Sequence, residues 1–143
     1  MITALDTHAE TFGFLGMTHW NSANDVAVGS GALYVCYFRD VAGLHAFAHS
    51  PHHRTPWDWW NRHHRELRHI SIAHESYAVP RGAWESVYIN SPLEGLNSTV
   101  HKVPDSEGED RWMYPVVDAS SGMLKTANGR MNRSDGDEHD VYG

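Results

Sequence analysis

Ala32-Leu33-Tyr34-Val35-Cys36-Tyr37-Phe38 runs without a charge or a turn residue, then Arg39-Asp40 gives way to Val41-Ala42-Gly43-Leu44-His45-Ala46-Phe47-Ala48. The first part is apolar on both faces, as a central strand is. Past it, Asp40 stands where a helix N-cap would, and Val41, Leu44, Phe47 and Ala48 recur at helical spacing. Pro51 is expected to stop that helix.

Working outward, Phe12 to Trp20 alternates as a strand should, with Phe12, Phe14, Gly16, Thr18 and Trp20 on one face. Asn21 to Gly31 is rich in Asn, Ser, Asp and Gly and reads as a hairpin connection. On the other side, Thr55-Pro56-Trp57-Asp58 predicts the start of a second helix. A capping residue, a proline at the first helical position and an acid in the first turn all point that way. Trp57, Trp60, His64 and Leu67 would share its face. Ile70 to Val79 predicts a third strand and Trp84 to Asn90 a fourth, joined by a turn at Pro80-Arg81-Gly82. Strand, strand, helix, strand, strand is an α+β pattern, with helices on one face of a largely antiparallel sheet.

The 143 residues suffice for one core. A net charge of -7 argues against nucleic acid as a partner. No apolar run is long enough to span a membrane, and no signal stretch follows Met1. A lone cysteine, Cys36, excludes an internal disulfide framework and reads as a buried small hydrophobe. Charge is uneven: nine of the 18 acidic residues, but only four of the 11 basic ones, follow Lys102. Residues 1–103 therefore read as the body and 104–143 as an acidic extension, in which Arg111 to Val117 is apolar enough to dock as a strand. The last ten residues read as a solvated end.

Twelve histidines outnumber Lys and Arg together, and eight lie between His45 and His74. His74 is the sharpest candidate. Alternation puts it beside Ile70 and Ile72, on the buried or cavity side, where a neutral imidazole can take a proton. A core histidine held by a hydrogen bond is the competing reading. Glu75 and Tyr77 face the other way, and a partnership of Glu75 with Arg65 or Arg68 is the simpler expectation. Ser86, Tyr88 and Asn90 share a face with Trp84 and either offer a phenol and an amide to a substrate or pack across the sheet. His45 and His49 sit four apart, but His45-Ala46-Phe47-Ala48-His49 lacks the glutamate of the zinc-protease motif. They, His63-His64 and His69 read as solvated helix histidines. No haem-attachment, phosphate-loop or dinucleotide motif is present.

Three stretches resemble a monooxygenase-like family of ferredoxin-like, dimeric α/β-barrel proteins found in bacteria and in fungal secondary-metabolite clusters. The first is Tyr37-Phe38-Arg39-Asp40 through Leu44, Phe47, Ala48, Pro51 and His52 to Trp57. The second and most specific is Ile72-Ala73-His74-Glu75-Ser76-Tyr77, Val79-Pro80, Gly82, Glu85-Ser86-Val87-Tyr88-Ile89-Asn90, Pro92 and Gly95-Leu96. The third is Val117-Asp118-Ala119, Gly122 and Gly129-Arg130-Met131. Members usually carry another strand and helix before the position of Phe12, where Met1 to Thr11 holds at most a helical remnant. Ala73 stands where a Trp is usual and Ser91 where a Met is usual.

The resemblance implies a ferredoxin-like antiparallel sheet that pairs into a dimeric barrel. It also implies a cytoplasmic enzyme of secondary metabolism acting on an aromatic or polyketide-like molecule. In that reading His74 is the general acid/base, helped by Tyr88 and Asn90, and Tyr34, Trp57, Trp60, Trp84 and Ser86 line the substrate cavity. Isomerisation, cyclisation, dehydration and oxygenation all remain open. No organic cofactor and no metal is expected, and the partners are a small hydrophobic substrate and a second copy. The alternatives are a non-catalytic binding or accessory subunit and a haem- or metal-dependent enzyme.

Overall fold

The computed structural model describes residues 1–22, 31–80, 83–104 and 108–133. The chain divides into two units, Met1–Ala78 and Val79–Gly143. Both combine helices with a small antiparallel sheet, so the fold is α+β.

The first unit begins with two short helices, α1 (Ile2–Thr7) and α2 (Ala9–Phe12). Gly13 closes α2 in the left-handed conformation, φ 61°, which turns the chain into β1 (Phe14–Asn21). Phe12, expected to open the strand, is therefore the last residue of a helix. β1 pairs antiparallel with β2 (Ala32–Phe38), and the register shifts between Phe14 and Gly16, a bulge at the end nearest the core. At the far end the Ser22 N–H donates to the Gly31 carbonyl at 2.9 Å, and the Gly31 N–H to Ser22 Oγ at 2.8 Å. Most of the expected hairpin connection lies outside the described residues.

β2 leads into α3 (Val41–His49) as expected. Asp40 caps it, its Oδ1 accepting from the Gly43 N–H at 2.7 Å. A Cβ at Gly43 would sit 2.1 Å from the Phe12 carbonyl oxygen, so the helix starts against main chain. Phe47 then reaches Phe12, with rings edge-to-face at 5.4 Å. Leu5, Phe12, Phe14 and Phe47 form the buried core, and Met17, Cys36 and Phe38 pack half-buried around it.

Pro51 ends α3, but it also begins α4 (Pro51–His63). The helix predicted with Thr55 as its cap and Pro56 as its first residue thus starts five residues earlier, and Pro56 lies inside it. Ser50 is extended at ψ 157°, the conformation proline imposes on its predecessor, which makes Ser50 the N-cap and Pro51 the first helical residue.

The largest correction concerns the third and fourth strands. Residues 70–80 and 84–88 carry no ladder, and nearly all their side chains are exposed. Period-two alternation makes a segment suited to a sheet; a strand also needs a neighbouring edge, which only tertiary structure supplies. His74 is accordingly exposed, not on a buried face.

In the second unit, β3 (His101–Pro104) pairs antiparallel with β4 (Asp110–Met113), so the front of the Arg111 to Val117 segment docks as a strand. The helix α5 (Ala127–Arg133) follows a short 3-10 turn, Met123–Lys125. A Cβ at Gly129 would meet the Met123 carbonyl oxygen at 1.9 Å, so helix and turn touch there through main chain. The Pro80-Arg81-Gly82 turn and the last ten residues fall largely or wholly outside the described residues. No helix among the described residues is long and apolar enough to cross a membrane.

Gly43→Ala forces α3 away from Phe12 and is expected to cost about 1–3 kcal/mol in urea denaturation, the range for overpacking. Gly31, whose Cβ would meet nothing within 4 Å, is the control. Gly31→Ala should change stability by no more than about 0.5 kcal/mol.

Candidate functional site

Around His74, in a segment that carries no ladder, side chains pair two residues apart. Ser76 Oγ lies 3.2 Å from His74 Nε2. The Tyr77 phenol donates to Glu75 Oε2. The expectation of a Glu75 partnership with Arg65 or Arg68 is corrected, because the carboxylate takes its proton donor from Tyr77, two residues on. That bond favours the neutral phenol and raises the Tyr77 pKa above the ordinary tyrosine value.

Chemically, the first pair is an imidazole whose Nε2 is within reach of a hydroxyl, able to accept or return a proton. The second is a phenol held protonated as a donor. Both pairs are open to solvent.

The remaining candidates are distributed between the two units. Tyr34 lies on β2, exposed, and stacks at 5.9 Å on His19 of β1, its cross-strand partner. Trp57 on α4 stacks on His53 at 6.3 Å, and Trp60 is half-buried on the same helix. Trp84, Ser86, Tyr88 and Asn90 belong to the second unit and do not form the strand face expected of them. Tyr88 is half-buried, and its oxygen accepts from the Asn97 N–H at 3.3 Å. Asn90 sits at φ 51°, a left-handed position that asparagine tolerates, and so turns the chain.

Two groups were not singled out as candidates. Glu85 and Arg130 form an ion pair, and Arg130 Nη1 also donates to the Leu124 carbonyl at 3.0 Å. The pair links two stretches that carried the family resemblance but lie 45 residues apart. No local signal could have joined them. In the third stretch, the Ser120 N–H and hydroxyl both donate to Asp118 and hold its carboxyl below the usual range.

The helix histidines have a common habit. Nδ1 of His49, His53, His63 and His64 donates to the carbonyls of His45, Ala48, Trp59 and Asn61 at 2.7–3.1 Å. Their rings thereby serve main-chain carbonyls three to five residues earlier, across the α3–α4 junction in the case of His53. No group of three or more His, Cys, Asp or Glu side chains among the described residues is placed to share a metal ion. Cys36 is half-buried; burial, then Asp6, raises its thiol pKa and favours the uncharged form. A shallow depression of about 370 Å³ lies at the open end of the β1–β2 hairpin, lined by Trp20, Asn21, Ser22, Gly31, Ala32 and Leu33. It holds no acid or base and none of the candidates.

Comparison with known proteins joins these observations. Residues 1–96 match the model of a family described as monooxygenase af470-like, a span that includes the whole segment from His74 to Asn90. The chain belongs to this family. The curated protein "Monooxygenase af470" of Aspergillus fumigatus is 31% identical over 127 residues, which are 88% of this chain and 45% of that protein. The chain thus spans less than half the length of this af470 relative. No solved structure matches the chain.

Glu75→Gln weakens the acceptor for the Tyr77 phenol. In an ultraviolet-difference titration the variant should show one tyrosine titrating at lower pH than in the parent chain. Identical curves would mean that the bond is not formed in solution.

Proposed function

We propose that this chain transforms a small aromatic or polyketide-like molecule by proton transfer at His74. The observation that carries the reading is the His74–Ser76 pair inside the span matched by a monooxygenase-like family. An imidazole in contact with a hydroxyl can take a proton from a phenol or an activated carbon and return it elsewhere. Isomerisation, cyclisation and dehydration need nothing more. Oxygenation proceeds from the same anion with dioxygen as co-substrate: a CH₂ group becomes a carbonyl, one oxygen atom is retained, and the other leaves as water. The reading involves no organic cofactor or metal.

Within the second unit, the Asn97 N–H uses only an oxygen lone pair of Tyr88, so the phenol can still donate, and Tyr88 and Asn90, with Trp84 and Ser86, offer a phenol, an amide, an indole and a hydroxyl to a substrate carbonyl. Two-stranded sheets are marginal alone. The exposed Ile72, at 56%, and Ile89, at 79%, call for cover. A second copy of the chain would provide it, enclosing the open His74 segment in a dimeric barrel. A cytoplasmic setting in secondary metabolism belongs to the same reading.

Turnover of a panel of polycyclic phenols, followed by oxygen uptake and product mass, tests this. His74→Ala should lower the rate about 10²- to 10⁴-fold with unchanged circular dichroism. Undiminished turnover would remove His74 from the chemistry; ligand binding without turnover by the parent chain would favour a binding subunit.

A further inference from the structure

The strand β2 carries none of the sequence devices that blunt a sheet edge. Its seven residues, Ala32 to Phe38, include no charge and no proline, and the ladder has no extra residue on this strand. On β1 the bulge between Phe14 and Gly16 breaks the edge near the core, where Gly16 stands at φ 143°. Among the described residues β1 is the one strand that pairs with β2, so the other side of β2 has no ladder over Ala32 to Cys36. Leu33 is 60% and Tyr34 51% exposed there. The same unit holds a segment in the complementary condition. Ser71 to Ala78 alternates as a strand should, yet its main chain makes no hydrogen bond among the described residues.

We propose that Ser71 to Ala78 of one copy adds as a strand to the β2 edge of a second copy, which returns its own segment in exchange. Each chain offers one unladdered strand and one open edge, so two copies satisfy both about a two-fold axis and the assembly closes. Main-chain hydrogen bonds hold such an added strand, and alternate side chains fix its register. Each hairpin becomes a sheet of three strands, the size at which a sheet with an apolar face is stable by itself. Within the ladder Ile72, His74 and Ser76 share a face. On β2 the face toward the core carries Cys36 and Phe38, and two residues before Cys36 it continues to the exposed Tyr34. With Ile72 turned to that side for cover, the His74–Ser76 pair joins the partner's Tyr34 on one surface.

This exchange deepens the dimer of the proposed function and rests on that reading for its catalytic meaning; the ladder itself forms whether or not His74 turns anything over. An unrelated strand on β2 is the poorer occupant, because Ser71 to Ala78 would still lack an edge. So is the chain's own segment, since the folded unit holds both and they share no ladder.

The test is sedimentation velocity of the full chain over a concentration series, with amide hydrogen exchange resolved by residue at both ends of the series. The chain should dimerise, and in the dimer every second amide between Ser71 and Ala78 should exchange slowly, as an added strand bonded on one side requires. Dilution to monomer should release them. Ile72→Lys should raise the dimer dissociation constant at least about tenfold with circular dichroism unchanged, since it places a charge where an apolar side chain is covered. His74→Ala should dimerise as the parent does even if turnover is lost, which separates failure of the exchange from failure of the chemistry. Four results overturn the proposal: a monomer at every concentration; a dimer whose amides from 71 to 78 exchange as fast as in the monomer; protection of those amides that survives dilution to monomer; or a dimer that Ile72→Lys leaves unchanged.

Discussion

The carbonyl oxygen of Phe12 occupies the space that any side chain at position 43 would need. That single approach of main chain to main chain organises the first unit. It sets the start of α3 against the end of α2, and one helical turn later Phe47 meets the Phe12 ring. Gly13 provides the turn between them, its carbonyl accepting from the Arg39 N–H at 2.8 Å. Both strands enter and leave the core at this corner, which is why the ladder is best buried at Phe14 and Phe38 and open at Trp20 and Leu33.

Away from that corner, the His74 segment presents two polar pairs, each closed over two residues and neither needing a neighbouring strand. The backbone polar groups beside them are left to water or to another strand. The family match places this segment within a span shared with a protein of more than twice the matched length.

The histidine excess also has a structural use. Imidazole is flat, apolar on its faces and able to donate from Nδ1, so it can stack and cap at once. His53 does both, donating to the Ala48 carbonyl while lying against Phe47 and Trp57. His63 does the same with Trp59. A sequence count suggests metal ligands; the helix geometry turns these rings toward their own backbone and their aromatic neighbours.

Much of the local order was legible in the sequence. The strand from Ala32, the Asp40 cap and the apolar stripe to Phe47 follow from spacing, because each depends on residues a few positions apart. The start of α4 was misjudged because two prolines, Pro51 and Pro56, both suit a first helical turn, and Ser50 lay ready to cap the earlier one. Whether Ile70 to Val79 becomes a strand, whether His74 is enclosed, and that Glu85 meets Arg130 could not be read there. Sequence alone determined the strand from Ala32, the capped start of α3 and the apolar stripe that ends at Phe47, since those are properties of the backbone period. Tertiary structure alone decided which edges paired and which faces were covered, because a ladder and a buried surface need a partner that the local sequence does not specify.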